Sequence, residues 1–399
     1  MSQRAEFLFL NLGHLYDHLL MLVFATVAAL ALSQEWGMTY AELVPYATPG
    51  FVAFGVCALL AGWIADKWSR EGMMLVFFVG IGASAALTGL ADTPLQIGAG
   101  LLAVGVFAAI YHPVGIALVV QGRTHTGVPL AINGIFGNLG VAIAALLTGA
   151  LIDQVGWRAA FVVPGLVSVA TGIVYGVMLH RTRAARAEAR RVGAKAGGGA
   201  SLTLDRSTMI RVVAIIITST AIGGLVFQST TFALPKVFEE RLGDLAVSAT
   251  MIGWYGFLVF AVAAVGQVIV GYLIDRYSVR VVFVVVAALQ AILFFTMIGL
   301  TGWNALLVSV GFMLAVFGQI PINDVLVGRI SKSEWRSRMF ALRYIVTFSV
   351  MASSVPLIGW IHGHWGFDTL FPLLALAALA ILVCVAMLPR ALTPVPVRA

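Results

Sequence analysis

The stretch GWIADKWSR, residues 62–70, places a short group of charges between two long apolar segments. Each flanking segment is long enough to cross the roughly 30 Å hydrocarbon core of a bilayer as an α-helix. A similar stretch, GYLIDRYSVR, occupies residues 271–280, so that Gly271 follows Gly62 by 209 residues. A repeat of this length in an apolar chain indicates two membrane-spanning halves with one shared architecture.

A second pair of landmarks repeats at nearly the same offset. GWRAAF at residues 156–161 returns as GFDTLF at residues 366–371, which is 210 residues later. Between the halves, residues 180–206 are basic and rich in Gly and Ala, a composition typical of a linker. We therefore predict an N-terminal six-helix bundle at 1–179, a cytoplasmic linker at 180–206 and a C-terminal six-helix bundle at 207–399.

The composition indicates that most of the chain lies in lipid. Of its 399 residues, 61% are hydrophobic and only 10% are charged, whereas soluble domains carry about 25% charged residues. The predicted fold class is an all-α membrane protein with twelve transmembrane helices in two pseudo-symmetric six-helix bundles. The predicted spans are 7–32, 43–65, 73–91, 95–120, 128–152, 157–179, 207–234, 249–273, 281–300, 303–327, 338–361 and 366–388.

The basic residues predict how the chain is oriented. The net charge is +7, and most of the 24 Lys and Arg residues fall on one side of the membrane if the N-terminus is inside the cell. This asymmetry follows the positive-inside rule and predicts cytoplasmic N- and C-termini in a multi-pass protein of the cell (inner) membrane. The expected partners are the lipid bilayer, a small-molecule substrate and protons, with no nucleic acid; we expect a monomer.

The charged loop stretches resemble those of the major facilitator superfamily, whose loop between spans 2 and 3 has the pattern G-x-L-A-D-R-x-G-R-[KR]. The segment GWRAAF is also common in that superfamily. The resemblance extends over the whole chain through span count, linker and repeat, and it implies secondary transport by alternating access. Residues that match the loop pattern are Gly62, Ala65, Asp66, Lys67 and Arg70; residues that depart from it are Ile64, Ser69 and Glu71.

The same loops predict a contact between helix ends. A carboxylate at Asp66 is favoured near the N-terminus of the next helix, and Arg70 can pair with it. A glycine at position 62 lets two helices approach closely. We predict a conformational latch at these loops, although a simple positively charged turn would have the same sequence. The predicted latch residues are Gly62, Asp66 and Arg70 in the first half, and Gly271, Asp275 and Arg276 in the second.

Polar residues inside the first span are the strongest functional signal. In NLGHLYDHLL, residues 11–20, His14, Asp17 and His18 are spaced so that they share one helical face. Asp17 lies ten residues into the predicted span, about 15 Å deep. A charge at that depth costs at least about 2.5–3.5 kcal/mol, so it should face a partner or a water-filled cavity.

Span 4 supplies a candidate partner at a comparable depth, His112, followed by Pro113, which favours a kink. In the superfamily, spans 1 and 4 line the central cavity, so the resemblance implies that His14, Asp17, His18 and His112 meet there. Three interpretations remain open. The group is a structural Asp–His pair, a proton-coupling site in which Asp17 and His112 act with support from His14 and His18, or a transition-metal site.

The second half contributes a different set of polar residues. Gln228 in span 7 corresponds to His18, span 10 carries Asn323 and Asp324, and span 11 carries Arg343. We predict that these four residues, with Tyr111 of span 4, contact the substrate or form a gate. For Arg343, a side chain that merely extends into cytoplasmic water is the alternative.

A narrower resemblance concerns the direction of transport. The His14/Asp17 pair in span 1 and Tyr111-His112-Pro113 in span 4 resemble the fosmidomycin-resistance-like branch, whose members are drug or metabolite exporters, although His14 and Asp17 are one residue closer here. Span 5 has the close-packing glycines of antiporters and lacks their Gly-Pro pair. Export is therefore predicted, with an importing or facilitative carrier left open.

The predicted function is secondary active transport of a small polar or anionic organic solute, proton-coupled and outward. The sequence contains no Walker motif, so we expect ion gradients to supply the energy. No cofactor and no enzymatic activity are expected. The alternative is a divalent transition-metal transporter that uses the His/Asp cluster.

Overall fold

A computed structural model describes residues 3–123, 126–182, 206–330 and 333–389. Within these ranges, twelve helices are long and apolar enough to cross a membrane, which confirms the predicted fold class. Most of the predicted linker, residues 183–205, lies outside the described residues. The helices are α1 (Gln3–Glu35), α2 (Tyr40–Lys67), α3 (Arg70–Thr88), α4 (Pro94–Val120), α5 (Val128–Gln154), α6 (Trp157–Arg181), α7 (Ser207–Arg241), α8 (Ala249–Arg276), α9 (Val279–Thr296), α10 (Gly302–Val327), α11 (Ile345–Trp365) and α12 (Phe367–Ala386).

Helices dominate because lipid offers no hydrogen-bond partner to an exposed peptide group, so each span satisfies its own backbone. Local sequence sets their starts. Ser69 caps α3 by accepting a hydrogen bond from the Gly72 amide at 3.1 Å. The repeated motifs before α6 and α12 begin with Gly156 and Gly366, whose φ angles are +107° and +71°. Glycine adopts this left-handed region without steric cost, which explains its place in both copies.

The described residues fall into two compact units. The first contains α1–α6 together with Ser248–Phe257, the first turns of α8. The second contains α7 and the chain from Leu258 onward. The start of α8 thus groups with the first unit, whereas the rest of this helix groups with the second.

Glycines set the closest helix contacts of the first unit. A Cβ atom on Gly105 of α4 would lie 2.0 Å from the carbonyl oxygen of Gly50 in α2. Similarly, a Cβ atom on Gly82 of α3 would lie 2.4 Å from the carbonyl oxygen of Gly165 in α6. Since no Cβ fits at these separations, glycine is required for the backbones to approach so closely. At Gly62, by contrast, a Cβ would make ordinary contact at 3.4 Å, so the close approach predicted there does not depend on glycine.

The third residue of each repeated motif takes part in ion pairs. It is positively charged in GWRAAF and negatively charged in GFDTLF. In the first unit, Arg158 of α6 bonds Glu35 at the end of α1 at 3.1 Å and Asp92 before α4 at 2.9 Å. In the second unit, the equivalent residue is Asp368 of α12, which accepts from Arg241 at the end of α7 at 2.6 Å. The repeat thus retains an ion pair between the same helix ends while the two charges exchange places.

The start of α8 is held by α5 through a cap and small residues. The Asp153 carboxylate accepts hydrogen bonds from the main-chain N–H of Thr250 at 2.7 Å and of Ala249 at 3.3 Å. One turn further along, a Cβ on Gly253 would lie 2.6 Å from the Ala145 carbonyl oxygen. A carboxylate is favoured at a helix N-terminus, where it satisfies free N–H groups. These contacts explain why Ser248–Phe257 belongs to the first unit.

We expect Gly105→Ala to destabilise the protein, because the added methyl group overlaps the Gly50 carbonyl oxygen. Forcing extra volume into a packed interior costs about 1–3 kcal/mol. Thermal unfolding in detergent measures the effect. Gly134→Ala is the matched control, since nothing lies within 4 Å of a Cβ there. Equal melting temperatures for the two variants would contradict the close α2–α4 contact.

Asp153→Ala should loosen the start of α8 by removing its cap, at a cost of about 0.5–2 kcal/mol. Hydrogen exchange of the Thr250 and Ala249 amides should accelerate. Asp153→Asn retains a side-chain oxygen that accepts from the Thr250 amide, so its exchange should change less. Exchange at the wild-type rate in Asp153→Ala would show that the carboxylate does not hold this helix end.

Candidate functional site

Three imidazole rings come together in the first unit. His14 and His18 lie one turn apart on α1, and His112 reaches them from α4. Ring centroids are separated by 5.0 Å for His14 and His18, 5.4 Å for His14 and His112, and 5.7 Å for His18 and His112. The structure therefore brings together the histidines that the sequence places in spans 1 and 4.

A wide turn in α4 positions His112. The regular helix ends at Ala108, and residues Tyr111–Gly115 form a single π-helical turn before the α-helix resumes at Ile116. Pro113 lies within this turn and has no N–H to donate, so the normal hydrogen-bond ladder cannot continue through it. Turns of this kind redirect side chains and occur frequently at functional sites. The kink predicted at Pro113 thus takes the form of a wide turn.

Asp17 is completely buried beside this cluster. Its Oδ2 atom lies 3.4 Å from Nε2 of His112, which is long for a hydrogen bond. Within the described ranges, neither carboxylate oxygen of Asp17 has a hydrogen-bond partner. An ionised carboxylate in such surroundings is costly unless a positive charge compensates it. The pair is therefore least costly when it holds one proton, either on Asp17 or on His112 as an imidazolium, because both forms are neutral overall.

His14 is held by α5. Its Nδ1 atom lies 2.7 Å from the main-chain oxygen of Asn133. Because a carbonyl oxygen only accepts hydrogen bonds, Nδ1 carries the hydrogen, and in the neutral ring the lone pair lies on Nε2. The ring of His14 also stacks on that of Tyr111, with centroids 4.8 Å apart and planes inclined by 20°.

Sequence reasoning missed Asn133, which links three helices. Its Nδ2 donates to the Tyr111 hydroxyl at 2.8 Å and to Oδ1 of Asn11 at 3.0 Å. The Tyr111 hydroxyl in turn donates to the Leu10 carbonyl oxygen at 2.8 Å. The available signal was a buried amide in an otherwise apolar span, which requires partners in lipid. A helical-face argument within one span does not identify those partners.

The prediction that Tyr111 contacts the substrate does not fit its surroundings. The Tyr111 side chain is 0% exposed and its hydroxyl is engaged with Asn133 and Leu10. We correct its assignment from solute contact to support of His14, because a fully enclosed phenol cannot reach a solute without leaving these partners.

One ring nitrogen from each of His14, His18 and His112 lies within 4.8 Å of the others, so the group could bind a transition-metal ion. Two nitrogens bound to one tetrahedral Zn²⁺ lie about 3.4 Å apart. Asp17 is not part of this closely spaced group. The donor set for a metal would consist of three neutral imidazoles.

The second unit contains the other predicted residues, Gln228, Asn323, Asp324 and Arg343. Asp324 of α10 forms an ion pair with Arg343, and the arginine is buried while the aspartate is half-exposed. Asn323 accepts from the Ser219 hydroxyl of α7 at 3.4 Å. Gln228 of α7 is 1% exposed, and its amide nitrogen has no hydrogen-bond partner among the residues the structure describes.

A buried amide network accompanies these residues in the second unit. Gln290 of α9 donates to Oε1 of Gln319 in α10 at 2.9 Å, and Gln319 donates to the Ser219 carbonyl oxygen at 3.3 Å. Gln290 is a contributor that sequence reasoning did not single out. Glutamine within a strongly apolar span is the same kind of signal as Asn133 in the first unit.

The two predicted latch loops have different contacts. In the first, Nη2 of Arg70 lies 2.8 Å from Oδ1 of Asp66, and both side chains are exposed. In the second, the guanidinium of Arg276 lies 3.4 Å from the ring centroid of Tyr272, and Asp275 is exposed. A Cβ on Gly271 would meet nothing within 4 Å, so this glycine does not serve a close helix contact. The latch role remains a proposal at both loops.

Comparisons with known proteins identify the family. The family model described as Major Facilitator Superfamily matches residues 10–244 and 240–398. The gallate transporter of Pseudomonas putida is 24% identical over 307 residues, which cover 70% of this chain and 67% of that protein. Among solved structures, a D-xylose-proton symporter superposes with a TM-score of 0.72 at 15% identity, covering 98% of this chain and 99% of the other.

Two further relatives match over shorter regions. The probable sulfoacetate transporter SauU of Cupriavidus necator is 27% identical over 161 residues, which are 38% of this chain and 35% of that protein. The puromycin resistance protein pur8 of Streptomyces alboniger is 30% identical over 146 residues, covering 35% of this chain and 29% of that protein. The family match spans both halves of the chain, and the twelve helices agree with it. The chain belongs to the Major Facilitator Superfamily.

Proposed function

We propose that this secondary transporter moves a small organic anion by alternating access and couples the movement to protons. Asp17 and His112 would form the proton-coupling pair, supported by His14 and His18. The observation that carries the proposal is the burial of Asp17 at 0% exposure, with His112 Nε2 3.4 Å away. A carboxylate that is costly to leave charged can bind a proton in one conformation and release it in another.

The groups that face Asp17 favour proton exchange. His112 of α4 lies against Asp17, and His14 and His18 of α1 lie around the His112 ring. Imidazole is the side chain whose charge commonly changes near neutral pH, so His112 is a chemically suitable acceptor for a proton leaving Asp17. A purely structural Asp–His pair would need one imidazole, whereas three are grouped here.

The substrate class follows from the second unit and from the relatives. Sulfoacetate and gallate, named for two similar transporters, are organic acids that are anionic at neutral pH. Arg343 is a buried cation whose partner Asp324 is half-exposed. Because a guanidinium binds carboxylates and sulfonates with paired hydrogen bonds, Arg343 is suited to exchange Asp324 for an anionic solute.

For the direction of transport we propose export, with protons moving inward as the solute leaves. The similarity to a puromycin resistance protein over about a third of the chain supports this direction. Cytoplasmic termini and an inner-membrane location belong to the same proposal and rest on the distribution of Lys and Arg.

A second candidate function is transport of a divalent transition metal, favoured by the three imidazole nitrogens that lie within 4.8 Å of one another. In this case the metal would be the cargo, and organic anions would not drive proton movement.

We expect Asp17→Asn to abolish proton movement driven by a solute, because the amide has nearly the same shape and cannot ionise. Proteoliposomes with a trapped pH dye measure this, using sulfonates, aromatic carboxylates, phosphonates, hydrophobic cations and divalent metals as solutes. Asp92→Asn is the matched control, as an exposed carboxylate of the same unit outside the cluster. Unchanged proton movement in Asp17→Asn would refute the coupling role. Flux of divalent metals only would favour the second candidate function.

Arg343→Gln should weaken binding of gallate or sulfoacetate by about tenfold, equal to roughly 1.4 kcal/mol. The variant leaves Asp324 half-exposed and solvated, so the fold should be retained. Isothermal titration calorimetry in detergent gives the dissociation constants. Lys236→Gln is the control, because this cation of the same unit is paired with Glu239 in α7. Equal affinities in wild type and Arg343→Gln would exclude Arg343 as the anion contact.

A further inference from the structure

The contacts of His14 define which of its nitrogens is available. Nδ1 donates to the Asn133 carbonyl oxygen at 2.7 Å, a bond that joins α1 to α5. A carbonyl cannot donate in return, so in the neutral ring this bond leaves the free lone pair on Nε2. A hydrogen bond on one imidazole nitrogen is the usual way in which proteins fix the tautomer of the other.

Gly137, one turn after Asn133 on α5, leaves the space that the ring occupies. A Cβ at position 137 would lie 2.6 Å from Nε2 of His14 and 2.7 Å from its Cε1. The imidazole thus lies directly against the backbone of α5. Any side chain at residue 137 would have to displace the ring, so the carbonyl of Asn133 and the gap at Gly137 together form a slot for His14.

The ring of Tyr111 forms another wall of the slot, and Asn133 holds Tyr111 in place as well as His14. The phenol ring stacks on His14, and its hydroxyl accepts from Nδ2 of Asn133 at 2.8 Å. Glycines leave room for this ring too, since a Cβ on Gly115 would lie 2.7 Å from Cε2 of Tyr111. Asn133 therefore supports His14 twice, through its main chain directly and through its side chain by way of Tyr111.

We propose that Asn133 and Gly137 are positioning residues that fix His14 with hydrogen on Nδ1 and direct Nε2 toward the cluster for transport. The proposal rests on the proposed proton-coupled function for its effect on transport, while the tautomer itself is independent of that function. Other titratable groups around the ring are His18 of α1 and Tyr111 and His112 of α4, and Asp17 lies beside one of these partners, His112. With Nδ1 engaged, Nε2 is the His14 nitrogen that is left to accept a hydrogen bond.

The first test compares two glycine variants of one helix. Gly137→Ala should displace the His14 ring and lower solute-driven proton turnover by about tenfold or more, since a shift near 1 Å is enough to disrupt a positioned group. Its KM should stay close to wild type. Gly134→Ala, where a Cβ meets nothing within 4 Å, should behave as wild type. Wild-type turnover in Gly137→Ala would overturn the proposal.

The variant His14→Asn tests whether His14 is needed only as a hydrogen-bond donor or also as an imidazole with a free Nε2. The asparagine amide nitrogen can occupy the place of Nδ1 and keep the hydrogen bond to Asn133, but it offers no lone pair at the place of Nε2. We expect a melting temperature close to wild type together with loss of turnover. Full turnover in His14→Asn would show that His14 serves as a structural donor and would overturn the proposal.

The tautomer is measured directly by ¹⁵N NMR of histidine-labelled, full-length protein in detergent, with His14→Asn used to assign the signals. The expected spectrum has a protonated Nδ1 and an unprotonated Nε2 for His14. A hydrogen on Nε2, or averaged signals from both tautomers, would overturn the proposal. If the expected tautomer is found while Asp17→Asn retains proton movement, then the proposed coupling fails and the positioning of His14 stands.

Discussion

A carboxylate buried in a membrane-spanning helix needs a compensating group, and Asp17 has His112 at 3.4 Å for this purpose. This one pairing requires α4 to turn toward α1, which the wide turn at Tyr111–Gly115 achieves. It also requires α1 to present its polar face inward and not to lipid. The first unit is therefore organised around a polar centre that the hydrophobic effect alone would not create.

Glycine determines how closely the surrounding helices can approach that centre. A Cβ on Gly140 of α5 would lie 2.3 Å from the Leu15 carbonyl oxygen of α1, and Gly137 accommodates the His14 ring. Lipid tails are as apolar as leucine, so packing and hydrogen bonds, not expulsion of water, hold these helices together. The same close approach brings the Asn133 carbonyl within 2.7 Å of the imidazole. The close packing of α1 against α5 and the hydrogen bond to His14 thus have the same cause, the short distance between these two helices.

The two units share a scaffold and differ in chemistry. Arg158 and Asp368 occupy equivalent positions and take part in ion pairs of opposite polarity. His18 corresponds to Gln228, so an ionisable side chain in one unit is replaced by an amide in the other. This difference is the basis on which we propose proton coupling for the first unit and, with Arg343, an anionic solute for the second. Under this proposal, one repeat would bind the coupling ion and the other would bind the cargo.

Much of this protein could be predicted from its sequence, because the relevant signals are local. Apolar length gives the twelve spans, the repeated loops give the two halves, and helical spacing places His14, Asp17 and His18 on one face. A proline after His112 similarly indicates a break in α4. Each of these features depends on residues that are neighbours in the chain.

Tertiary structure alone decided which distant residues complete the centre. Asn133 lies 119 residues from His14, and its bond depends on how deeply α1 packs against α5. The burial of Tyr111 and the placement of Ser248–Phe257 with the first unit depend in the same way on interhelical distance. Sequence periodicity fixes the face of a helix but not the axial offset or the separation of two packed helices. Those two quantities determine which carbonyl a given imidazole meets.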